Sequence, residues 1–196
     1  IKASHPAVVE GLVPALLPLG TVHKVLQNLL TEGVSIRDLT TVIETLADHA
    51  PATKDPIALT ESVRVALGNV ITKPYVGADG SLRVFVLSPS TERQIVEQLR
   101  EGEGALPPDP RLIQRLVDGV ARAIEQAHPL ETKPVLLVAP SVRWQIKRFL
   151  DRPFPQLAVI SYQEVPPRLT VHALAAVEAG GEDAALLTGV EAGVAG

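Results

Sequence analysis

The sequence predicts an α/β fold in two parts: a helix-rich module with a β-hairpin, then a small strand–helix–strand module. Three observations carry this. Apolar residues in the first hundred positions recur at i, i+3, i+4 and i+7, the spacing of one helix face. Two continuous apolar runs in the second half, Val135-Leu136-Leu137-Val138-Ala139 and Leu157-Ala158-Val159-Ile160, are strand-sized. Between the halves, Glu101 to Pro110 holds two glycines and three prolines, the composition of a linker.

Taken in order, residues 6 to 19 form a short apolar segment broken by Pro14 and Pro18. Thr21 caps a helix running to Glu32, with Val22, Val25, Leu26, Leu29 and Leu30 on its apolar side and Gly33 as a left-handed stop. Ser35-Ile36-Arg37-Asp38 reads as a capping box for a helix to Ala50. Asp55-Pro56 starts a third helix, a cap followed by proline at the first position, with Leu59, Val63, Ala66 and Leu67 inward. Residues 70 to 76 and 82 to 87, β-branched and aromatic around Gly77-Ala78-Asp79-Gly80, give a hairpin signal. Ser88-Pro89 opens a helix with Ile95, Val96 and Leu99 on one side.

Asp109-Pro110 leads a helix to about Ala127. Val135 to Ala139 suits a strand buried on both faces, Ser141 caps a helix through Leu150, and Leu157 to Tyr162 forms a second strand. That order favours parallel pairing through a right-handed crossover. Thr170 to Val177 adds a third strand, and from Glu178 the Gly, Ala and Glu composition predicts a mobile tail. The expected domains are 21–104, helical with the hairpin, 105–177, small α/β, and 178–196, flexible tail.

Composition narrows the function. With 46% hydrophobic but only 3% aromatic residues, the core must be built from Leu, Val, Ile and Ala. The absence of cysteine excludes a disulfide framework, a thiol nucleophile and a thiolate zinc site. No apolar run approaches the roughly 18 to 20 residues that span a bilayer. The chain lacks methionine and opens Ile1-Lys2-Ala3, which reads as a soluble fragment of something longer. His5, His23, His49, His128 and His172 lack any metal-ligand spacing, and no glycine-rich loop serves a phosphate, so no metal or cofactor is expected.

Catalytic candidates are few. Ser141 follows a strand and begins a helix, but Pro140 and Val142 flank it, so capping is the better reading. Glu44 and Asp48, i and i+4 on one helix, lie opposite the apolar stripe and read as a solvated face. Arg143, Lys147, Arg148 and Arg152 around Trp144 form a basic surface suited to a phosphate or an acidic segment, with simple solvation the default. Three helices followed by a hairpin also suit a winged-helix DNA-binding regulator. Charge argues against it: between Thr21 and Glu101, eight Lys and Arg face ten Asp and Glu, whereas phosphate neutralisation demands a basic surplus. No enzyme and no nucleic-acid partner are expected.

The residues Leu16-Leu17-Pro18-Leu19-Gly20-Thr21-Val22-His23-Lys24-Val25-Leu26-Gln27-Asn28-Leu29-Leu30 and Gly33-Val34-Ser35-Ile36-Arg37-Asp38-Leu39 resemble the FlhA family of flagellar type III export-gate proteins. The likeness continues through Glu44-Thr45-Leu46-Ala47-Asp48 and Thr53-Lys54-Asp55-Pro56, and ends with Val159-Ile160-Ser161-Tyr162-Gln163-Glu164-Val165-Pro166. It spans about residues 6 to 177. The resemblance implies a membrane domain elsewhere in the parent protein and a position at the cytoplasmic face of the bacterial inner membrane. It also implies a role as a platform that docks flagellar export chaperones and substrates, meets other export-apparatus components and self-associates into a ring. Residues 1–20 would be the remnant of a preceding module and 21–104 the ring-forming one. By position, Val13, Leu17 and Gly20 would edge the chaperone and substrate site. Gly20 stands where other members carry a hydroxyl residue, and ordinary packing is the competing reading for Val13 and Leu17.

Overall fold

The computed structural model describes residues 12, 15–101, 109–127 and 133–179. They form seven α-helices and four strands in an α/β arrangement. The chain divides into two compact units: residues 1–74 with 163–166, and residues 75–162 with 167–196.

The first unit is helical. Helix α1 (Leu19–Thr31) buries Val25, Asn28 and Leu29. It begins three residues earlier than a Thr21 cap predicts: Pro18, with an extended backbone, is the N-cap residue, and no side chain caps the end. Gly33 is left-handed as expected, with φ 72°. Helix α2 (Leu39–His49) is capped by Asp38, not Ser35: the Asp38 carboxylate accepts from the Thr41 N–H at 3.1 Å and the Thr41 hydroxyl at 2.7 Å. An aspartate at the last non-helical position satisfies the orphan donors directly, so the upstream serine is displaced from that role. Helix α3 (Pro56–Ala66) starts as predicted, with Asp55 accepting from Ile57 and Ala58 N–H at 3.2 and 3.0 Å. A short helix α4 (Gly68–Thr72) and one 3-10 turn (Lys73–Tyr75) follow.

The hairpin reading is therefore corrected. Residues 70 to 75 are helical, and only an isolated antiparallel bridge, Val76 to Leu82, survives around the turn. β-branched composition is a weak preference. Here burial of Ile71 and Thr72 overrides it, and Pro74 has no N–H for a ladder. The strand that was to be the second arm, β1 (Ser81–Leu87), pairs elsewhere.

The second unit is built on a four-stranded, wholly parallel sheet. Its elements are β1, α5 (Pro89–Glu101), α6 (Pro110–Gln126), β2 (Val135–Val138), α7 (Arg143–Leu150), β3 (Ala158–Ser161) and β4 (Thr170–Val177). The strand order is β3-β2-β1-β4. β2 pairs with β3 in continuous register, and β1 runs beside β4 from Ser81↔Thr170 to Leu87↔Val177 with one irregularity after Val84. Val135 to Val138 are buried on both faces, as the unbroken apolar run required. Phe85, Leu87, Leu136, Val138, Val159 and Val177 on the sheet meet Ile95, Leu116, Val120 and Ile146 from α5, α6 and α7 in one core. The Ser88 and Asp109 caps hold as predicted, accepting from Thr91 and Arg111 N–H at 3.2 and 2.9 Å. Ser141 does not cap: α7 begins at Arg143 after a turn at Val142, with no side-chain cap. The expected linker lies largely outside the described residues, and so do residues 180–196 of the tail. Glu178 and Ala179, placed in that tail by composition, are held: Ser88 Oγ donates to the Glu178 carboxylate at 2.7 Å, and the Ala179 N–H donates to Thr91 Oγ1 at 2.8 Å.

Candidate functional site

In open parallel sheets, ligands gather at the carboxyl ends of the strands, where the strand order reverses. Here that place is filled by the chain's own groups. Past the ends of β1 and β4, Glu178 accepts from Ser88 Oγ at 2.7 Å and Ser90 Oγ at 3.3 Å. Past the end of β2, the Ala139 N–H donates to Glu92 at 2.8 Å. A carboxylate already occupies each donor set, so an anionic ligand meets repulsion rather than a cradle. Tyr162 stands near the same end. Burial, and then the charge of Glu92, push its phenol above the usual value, so it stays protonated at neutral pH and is no base.

The other chemical candidates also resolve into structure. Arg143, expected on a basic surface, is fully buried and donates to the Val159 carbonyl at 3.4 Å. Lys147 pairs with Asp151 at 2.7 Å, which leaves Arg148 on that helix and Arg152 just past its end as the exposed cations. The reason is position: Arg143 and Ile146 share the face that α7 turns inward, which a charge count cannot reveal. Ser141, Glu44 and Asp48 are exposed. Among the described residues, no group of three His, Asp or Glu could hold a metal ion, and no helix is long and apolar enough to cross a membrane. The winged-helix alternative loses its wing with the hairpin.

What remains is the surface of the helical unit. Of six exposed large apolar side chains among the described residues, five belong to it: Leu19, Leu30, Ile57, Val65 and Val70; the sixth is Tyr162. Leu19 is 70% and Leu30 56% exposed. Residues 19, 26 and 30 fall within roughly 40° of one another at about 100° per residue, so they make one stripe along α1. Asn28 lies on the opposite side of that helix and its amide donates to Thr60 Oγ1 of α3 at 3.1 Å. The stripe therefore points away from the α1–α3 packing. On α3, Ile57, Glu61 and Val65 follow at i, i+4 and i+8; Ile57 adjoins the buried Thr60 on one side, and Val65 turns away from it.

These surfaces rest on a polar anchor that the sequence did not disclose. Arg64, 3% exposed, donates to Glu32 at 3.0 Å and to Glu164 at 2.7 Å. Glu164 comes from residues 163–166, which belong to this unit although their chain neighbours belong to the other. Gly68 permits the approach, since a Cβ there would overlap the Glu164 carbonyl oxygen. No periodicity links positions a hundred residues apart. The only signal was the charge of Arg64 on the inward side of α3.

Of the site residues taken from the resemblance, Leu17 is fully buried, Gly20 is exposed in the first turn of α1 with open space around it, and Val13 lies outside the described residues. Leu17 and Gly20 are thus close in sequence but opposite in exposure.

The chain matches the FHIPEP family over residues 1–170. It is 42% identical over 165 residues to the flagellar biosynthesis protein FlhA of Yersinia enterocolitica, covering 84% of this chain and 23% of that protein. The chain thus spans about a quarter of that relative's length. Among solved structures it is similar to the Chlamydia pneumoniae CdsV protein in complex with CdsO, with a TM-score of 0.80 and 28% identity over 90% of this chain and 51% of that one. It is also similar to SctV-C of EPEC, solved as a nonamer, with a TM-score of 0.77 and 27% identity, covering 88% and 52%.

Proposed function

Because the chain belongs to the FHIPEP family, we propose that it works by binding rather than catalysis, as part of a cytoplasmic platform in a flagellar type III export apparatus. In that reading it self-associates into a ring below the export gate, docks export chaperones with their substrates, and meets other components of the apparatus. The observation that carries the proposal is the family match over nearly the whole described chain. The concentration of exposed apolar side chains on the helical unit supports it, because monomeric proteins rarely leave such residues grouped without use.

Chaperone docking is assigned to the edge around residues 13 to 20. Leu17, being buried, sets the shape of that edge; Gly20, exposed with nothing within 4 Å of an added Cβ, lies on its surface. Titration calorimetry with a flagellar chaperone–substrate complex tests this. Gly20→Arg is accommodated by the fold and is expected to weaken binding, while Glu44→Arg on α2 leaves it unchanged. Equal affinity for both variants would move the docking site elsewhere. The DNA-binding alternative predicts a salt-dependent mobility shift with duplex DNA, and its absence is the expected result.

A further inference from the structure

We propose that Lys54 is the positioning residue of the docking edge: its ammonium holds the Leu16 carbonyl to the end of α2 and so fixes how Leu19 and Gly20 are presented to a chaperone. The inference rests on the docking reading above and names what holds that edge. The Leu16 and Leu17 N–H groups both donate to the Leu12 carbonyl, at 3.0 and 2.9 Å, and Pro18, with its extended backbone, ends the turn. The Leu16 carbonyl takes its donor from far along the chain, Lys54 Nζ at 2.6 Å. The same nitrogen donates to the carbonyl of Ala50, the C-cap residue of α2, also at 2.6 Å. Carbonyls at a helix end lack donors from within the helix, and a cation there meets the negative end of its dipole. One ammonium thus satisfies two carbonyls and joins them.

The lysine stands on a corner that is itself fixed. The Thr53 N–H donates to the His49 carbonyl at 3.1 Å, the Asp55 N–H donates to Thr53 Oγ1 at 3.1 Å, and Asp55 caps α3. Lys54 is therefore tied to the end of one helix and the start of the next. The edge in turn is held at two points, by the fully buried Leu17 side chain and by the Leu16 backbone on Lys54. A single buried side chain leaves the backbone free to turn about it. The second tie removes that freedom before a partner arrives, which is how preorganisation raises affinity. Residues Ala15-Leu16-Leu17-Pro18-Leu19-Gly20 carry no side-chain donor of their own, so the tie must come from elsewhere in the chain.

Titration calorimetry with a flagellar chaperone–substrate complex, paired with amide exchange, tests this in the full chain. Lys54→Met keeps an apolar stem and removes the donors. It should weaken binding about fivefold, the effect of a charged hydrogen bond discounted for its exposure. Protection should fall at the Leu16 and Leu17 amides, while Leu46 and Leu59 in the helical core keep theirs. Lys54→Arg restores charge and donors and should bind like the parent. Asp38→Ala weakens α2 at its other end without touching Leu16, so it should leave the affinity unchanged. Equal weakening by Asp38→Ala, or no rescue by arginine, would reduce Lys54 to a general stabiliser of α2 and overturn its positioning role. Weaker binding by Lys54→Met with protection at Leu16 and Leu17 intact would also overturn it, since Lys54 would then touch the partner itself. Parent-like binding of Lys54→Met while Gly20→Arg weakens it overturns the proposal and leaves the docking edge standing. No binding by the parent, or parent-like binding of both variants, overturns the docking edge and the role of Lys54 with it.

Discussion

The two units of this chain distribute polarity differently: each buries an arginine, and in the helical unit that arginine is paired with two buried carboxylates. The sheet unit keeps a largely apolar interior, Phe85, Leu116, Leu136, Ile146 and Val159 among it, with the Arg143 guanidinium buried against Val159, and among its described residues Tyr162 is the one exposed large apolar group. The helical unit places a guanidinium and two carboxylates inside, at Arg64, Glu32 and Glu164, and leaves leucines and valines outside. A buried charged cluster is weak support for stability, because desolvation offsets most of the Coulombic gain. Exposed leucines lose the roughly 1.5 to 3 kcal/mol each that full burial would contribute. The helical unit thus carries buried charge and exposed apolar surface around its own core of Val25, Leu29, Leu46, Leu59 and Val63.

Breaking the polar anchor should produce the largest effect. Arg64→Ala removes the guanidinium shared by two buried carboxylates and should cost about 3 to 5 kcal/mol. In denaturant titrations followed by exchange at individual amides, the helical unit should lose protection before the sheet. Uniform loss in both units would show that the polar and apolar interiors unfold as one. Arg64→Met, which keeps volume without charge but strands the carboxylates, should be nearly as damaging; full rescue by methionine would mean packing, not charge, holds the site.

Ile146→Ala in the sheet unit should cost about 2 to 4 kcal/mol through lost contacts and a residual cavity. Its signature is the reverse order: protection falls first in β2, β3 and α7.

Gly68→Ala sharpens the comparison from a different side. The added methyl would overlap the Glu164 carbonyl oxygen, a backbone atom with little room to yield, so a cost of about 1 to 3 kcal/mol is expected. Helix propensity alone predicts a gain of about 1 kcal/mol for the same change. Thermal melts distinguish the two by sign.

The smallest effect belongs to an exposed cap. Hydrogen bonds from the Thr41 hydroxyl and then the Thr41 N–H hold the Asp38 carboxyl below its usual 3.8. A carboxylate with a depressed folded pKa contributes stability fully above its unfolded pKa and loses it as pH falls through the folded value. Asp38→Ala should therefore cost about 0.5 to 1 kcal/mol at pH 7, towards the low end for an exposed group. The gap between variant and parent should close below about pH 3.8, read from melts across pH.

Local chemistry made much of this molecule legible. Asp55-Pro56 and Asp109-Pro110 announced helix starts because cap and fixed φ act within three residues. Gly33 announced a stop for the same local reason. Val135 to Val138 announced a doubly buried strand because nothing polar interrupts the run. The family itself was readable in the long stretch around Ser35 to Asp55. These features depend on neighbours a few residues away, and sequence alone determines them.

Other features depend on partners far along the chain. Residues 70 to 75 carry strand-forming side chains yet are helical, and β1 leaves its expected hairpin partner for β4, about ninety residues on. Arg143 reads as a surface cation and is buried against Val159. The joining of Arg64 to Glu164 was invisible, since no spacing rule connects them. Sequence determined the helix starts at Pro56 and Pro110 and the stop at Gly33, because capping and backbone dihedrals are short-range. Tertiary structure decided which faces are inside, because burial is settled by what other parts of the chain bring to cover them.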